Sequence, residues 1–87
     1  MEKLKISKPF SLDLLNVVDT VGAEILINKE APEETKDKYL IASFKIRLLL
    51  LRIIQFIESK KEIKTQDIEQ LNLYLNNYLD MNVTIYK

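Results

Sequence analysis

The chain has 87 residues, 13 basic and 13 acidic side chains, one glycine, two prolines, and neither cysteine nor histidine. That length is expected to make one domain, residues 1–87, with little stability to spare, and zero net charge supplies no field to draw the molecule onto nucleic acid or an anionic membrane. Missing histidine and cysteine remove the usual general base near neutral pH, the commonest transition-metal ligand, thiolate nucleophiles and any disulfide framework.

With 47% hydrophobic and 30% charged residues, the composition is too apolar for intrinsic disorder. So few glycines and prolines in a chain rich in Leu, Ile, Lys and Glu favour long helices with short connections, hence an all-α, three-helix bundle. The basic N-terminus, MEKLKISKPFS, lacks the apolar core and cleavage site of a secretory signal, so a cytoplasmic location is expected. Leu4 and Ile6 alternate with lysines there, and Val83 and Ile85 alternate near the other end. Each end reads equally as a short strand, paired with the other end or with another chain, or as an irregular tail.

Ser11 is the expected N-cap of the first helix, followed by Asp13 at the positive helix end, with Phe10 stapling onto Leu15. Asp13, Asn16, Thr20 and Glu24 then fall at polar helical positions. They leave a wide apolar face of Leu14, Leu15, Val17, Val18, Val21, Ile25 and Leu26, ending near Ile27. Gly22 lowers helix propensity and permits a neighbouring helix to come close.

After the connection Asn28-Lys29-Glu30-Ala31, Pro32 with Glu33 and Glu34 makes a suitable opening turn for a second helix. Nothing interrupts it before Ser59, so it is the longest and central element, roughly 40 Å at about 1.5 Å per residue. Lys45, Arg47 and Arg52 break its apolar run and exclude a membrane span. Thr65 is the expected cap of a third helix, about Gln66 to Leu79. Its buried stripe is Ile68, Leu71, Leu75 and Tyr78 or Leu79, with Glu69, Gln70, Asn72, Asn76 and Asn77 facing water.

The second helix is apolar on more of its circumference than one small core can use. Tyr39, Ala42, Ile46, Leu49, Leu50, Ile53, Ile54, Phe56 and Ile57 form one broad face. Leu40, Ile41, Phe44, Leu48 and Leu51 lie on the opposite arc among Lys45, Arg47, Arg52 and Gln55. Leaving such a set in water forgoes several kcal/mol at about 1.5–3 kcal/mol per fully buried side chain. Either the termini wrap over this arc, or it is an interface for a protein partner or second copy. We take the interface as the working expectation: Phe44, Leu48 and Leu51 anchor it, Ile41 extends it, and Lys45, Arg47 and Arg52 form its rim. Lys38, Lys45 and Arg52 recur every seven residues. That row fits a solvated rim, acidic groups of a partner, or phosphates.

Nothing else carries chemistry. The carboxylate pairs Glu33/Glu34, Glu58/Glu62 and Asp67/Glu69 read as helix-end or surface charges, and Ser43 has no activating partner. A lone glycine gives no phosphate-cradling loop, dinucleotide fingerprint or Ca²⁺ loop. Asn82-Val83-Thr84 is a chance glycosylation match without a signal peptide. Tyr74 and Tyr78 share one helix face and can stack bases, but they suit a half-buried core margin better. The stretch TQDIEQLNLYL carries too few basic residues for a DNA-reading helix. The sequence therefore reads as a non-catalytic interaction module (accessory subunit, adaptor or inhibitor) with no metal, cofactor or small-molecule substrate. Its alternative is a small dimeric helical regulator that contacts DNA phosphates through the Lys/Arg row.

Overall fold

The computed structural model describes residues 2–87. The elements follow in the order β1 (Glu2–Lys5), α1 (Lys8–Ile27), α2 (Glu33–Glu58), α3 (Thr65–Tyr78) and β2 (Val83–Tyr86). The fold is thus mostly α, with three helices and a small parallel sheet, where the sequence suggested all-α. The two ends resolve their ambiguity by pairing with each other, Glu2 opposite Val83 and Lys5 opposite Tyr86.

α1 begins one turn earlier than Ser11. Ser7 is the cap: its Oγ accepts from the Phe10 amide at 3.3 Å, and a proline sits in the first turn, where its missing N–H costs nothing. Ser11 instead lies fully buried inside the helix, its hydroxyl donating to the Ser7 carbonyl at 2.7 Å. Phe10, being helical, cannot act as the expected staple; it and Leu15 are each partly buried against the core. Only Leu14 and Val18 of the anticipated apolar face are buried, while Val17 and Leu26 remain exposed.

α2 starts one residue later than expected: Pro32 is its extended cap and not its first helical residue, with Glu33 and Glu34 in the first turn. The helix then runs uninterrupted to Glu58 as expected. It ends in a left-handed turn at Lys60, φ 56°, closed by Lys60 N–H to Ile57 O at 3.1 Å and Lys61 N–H to Phe56 O at 2.9 Å. This pair of bonds is the Schellman arrangement. α3 starts at Thr65 itself, with Lys64 in the cap position and no side-chain cap bond.

α1 and α2 form an antiparallel hairpin, tied by Lys8 to Glu58 at one end and Arg47 to Asp19 further along. α2 packs between α1 and α3, and α3 carries β2. Leu50, Ile53, Leu71 and Leu75 form the fully buried centre, joined by Leu14, Val18 and Ile46. Ile6, Val83 and Ile85 complete that core, so the strands close the inner side of the helices.

The sheet is held by α3 through two asparagines that the sequence placed in water. Asn72 Oδ1 accepts from the Ile85 amide at 2.6 Å and its Nδ2 donates to the Ile85 carbonyl at 2.9 Å. Asn76 Nδ2 reaches the Val83 carbonyl at 3.3 Å. Alternate residues of a strand point their backbone groups to opposite sides, and Tyr86 O accepts from Ile6 N on the β1 side. Asn72 and Asn76, one turn apart, therefore serve the other edge of β2 in place of a third strand.

Candidate interaction surface

The helical repeat that buries Ala42, Ile46, Leu49, Leu50, Ile53 and Ile54 on α2 turns a second set of apolar side chains outward. Ile41, Phe44, Leu48 and Leu51 are 58%, 61%, 51% and 49% exposed. Their spacing of three, four and three residues is that of the a and d positions of a heptad. They make one seam about 15 Å long on the outer side of the helix. Exposed Leu40 adjoins it toward the α1–α2 groove, where Leu26 and Ala23 lie nearby.

The rim residues are all exposed, and they differ in their partners. Arg47 pairs with Asp19 of α1, and Arg52 Nε lies 3.4 Å from Asp67 Oδ2 at the start of α3. Among the described residues Lys38 and Lys45 make no ion pair. Asp67 is the helix-end charge its sequence context suggested, in the first turn of α3, but it is buried rather than exposed. Its side chain is 9% exposed, and Oδ2 has no hydrogen-bond partner. The first turn of α3 holds the carboxylate where the helix dipole favours negative charge, and the exposed Arg52 covers it.

Between α2 and α3 beside the seam lies an open cleft of about 400 Å³ lined by Lys45, Leu48, Arg52, Lys64, Gln70 and Tyr74, with Asp67 at its wall. Leu48 belongs to both cleft and seam. Three cations therefore edge one flank of the apolar strip, and its one carboxylate is turned inward. Lys64 and Asp67 were not among the sequence candidates, because the antiparallel packing of α2 on α3 brings them there. Tyr74 and Tyr78 stack obliquely, centroids 5.9 Å apart, with Tyr74 packed against the core.

Glu33, Glu34, Glu58, Glu62 and Glu69 are exposed, where carboxylates work as surface charges. Among the described residues no group of three or more His, Cys, Asp and Glu side chains gathers as a metal site. No helix there is long and apolar enough to cross a membrane. Compared with protein-family models, curated proteins and solved structures, the chain matches none.

Proposed function

We propose that this chain is a non-catalytic protein-interaction module of the cytoplasm, an accessory subunit, adaptor or inhibitor, that docks through the outer face of α2. The observation that carries the reading is the seam of Ile41, Phe44, Leu48 and Leu51, about half exposed or more on a helix whose other face is sealed. An ordered apolar strip rimmed by charge on a rigid helix has the anatomy of a docking surface. Phe44 is the largest anchor, and Lys45, Arg47 and Arg52 orient whatever lies on it.

The alternative, a regulator that holds DNA phosphates, draws on the row Lys38, Lys45 and Arg52. It is supported less, since Arg52 already faces Asp67 and the sequence carries no net charge to add to a local patch. Strong salt-dependent DNA binding near physiological ionic strength would favour it.

The test is a Leu48→Asp, Leu51→Asp double variant compared with wild type. Both positions face solvent, so circular dichroism and thermal unfolding should change little. Solution mass or the affinity for a partner isolated with the native chain should change markedly. A folded variant with both properties unaltered would remove the proposal.

A further inference from the structure

Resting on the docking reading above, we infer that the seam of α2 is built for an amphipathic helix of another protein that carries Asp or Glu beside its apolar stripe, and not for a second copy of this chain. The a positions are Ile41 and Leu48, and the d positions Phe44 and Leu51. The flanking e positions are then Lys38, Lys45 and Arg52, and the g positions Leu40, Arg47 and Ile54. In coiled-coil pairing the e and g side chains of the two helices meet and select partner and orientation.

A second copy meets its own charge in either orientation. A parallel pair sets Arg47 of one chain against Arg52 of the other. An antiparallel pair sets e against e and g against g, so lysines and arginines again face each other. From Lys38 to Ile57 α2 contains no acid that could relieve this. Asp19 and Asp67 offset Arg47 and Arg52 from within the fold, which leaves Lys38 and Lys45 unanswered. Like charges across an interface discriminate against the wrong partner as effectively as opposite charges select the right one.

The cleft sharpens the description of the occupant. Lys45, Arg52 and Lys64 line it beside Leu48. A helix seated on the seam would lay one flank along these three cations. Carboxylates on that flank find the ammonium groups of Lys45 and Lys64, with Gln70 at the cleft wall, whereas lysines there face these two cations across from a single carboxylate, Asp67, that Arg52 already engages. The seam's short length fits about three helical turns of a partner.

The experiment uses two synthetic helical peptides of three heptads with identical Leu and Ile at a and d, one carrying Glu at all e and g positions, the other Lys. Binding is read by fluorescence anisotropy and by amide chemical shifts of this chain, alongside sedimentation of the chain alone over a wide concentration range. We expect a monomer and shifts centred on residues 41–52. The Glu peptide should bind about tenfold or more tightly than the Lys peptide, a preference built from several modest ion pairs that shrinks in about 0.5 M salt. Lys45→Glu, folded by circular dichroism, should lose most of the preference. Equal binding of both peptides at residues 41–52 would overturn the charge selection and leave docking intact. A dimer abolished by Leu48→Asp would overturn the foreign partner and leave docking intact. A monomer to which neither peptide binds would overturn both.

Discussion

Replacing Asn72 by alanine should destabilise the protein far more than its partly exposed helical position suggests. Its amide makes two hydrogen bonds to the backbone of Ile85, 2.6 and 2.9 Å long, and Ile85 is 1% exposed. Two such bonds contribute about 1–3 kcal/mol net, and a buried N–H or C=O left without a partner costs about 1–3 kcal/mol. Alanine returns roughly 0.5 kcal/mol of helix propensity over asparagine. The expected loss is about 2–4 kcal/mol, against a total of about 4–13 kcal/mol for a chain of this length at typical stability per residue. Urea denaturation followed by circular dichroism measures it. Asn77→Ala is the control: Asn77 is exposed on the same helix, gains the same propensity and should match or slightly exceed wild type. Hydrogen exchange should show the Ile85 amide losing protection in Asn72→Ala before the core of α2 does. If both variants unfold within about 0.5 kcal/mol of each other, an error typical of denaturant extrapolation, the claim that α3 acts as the third strand is wrong.

Gly22→Ala should stabilise the protein by up to about 1 kcal/mol, because glycine inside a helix is poor and an added Cβ would lie 3.6 Å from Ser43 Oγ, an ordinary contact. A melting temperature raised by about 4–8 °C would express this, whereas a drop would mean that α1 and α2 need the bare backbone there. Leu50→Ala, at a position with no exposure, should cost about 2–5 kcal/mol. Leu51→Ala, 49% exposed, should cost less than about 1 kcal/mol, in line with its small buried share. Comparable losses in urea at these two neighbours would show that the outer face of α2 is packed after all.

The helices were legible because their signals are local. Apolar spacing along α2 separated Ile46, Leu50 and Ile53 from Phe44, Leu48 and Leu51, and the latter set is the exposed one. Start positions were harder: Ser7 and Ser11 are both chemically competent caps, and only Pro9 behind Ser7 favoured the earlier start. The asparagines of α3 misled for a different reason. Period alone sends Asn72 and Asn76 toward water, and Asn76 is exposed as expected; what periodicity cannot see is that the chain turns back after α3 and lays the next element, β2, against both side chains. Asp67 was missed likewise, since its burial follows from α2 crossing near the head of α3 and bringing Arg52 over it. Gly22 seemed to mark a close helix approach, yet ordinary van der Waals room remains above it. The apolar strip was readable, and the charges answering Arg47 and Arg52 were not.

Among the described residues β1 pairs with β2 alone, and about 80 residues separate Glu2 from Val83, so during synthesis β1 has no strand to hold until β2 follows. At about 5–20 residues per second that wait is of the order of ten seconds. During it α1 and α2 can form their hairpin while Ile6 stays uncovered and the grease destined for Val83 and Ile85 lies open. The emerging polypeptide is thus stickiest before β2 arrives, and anything that meets it in that interval meets an unfinished core.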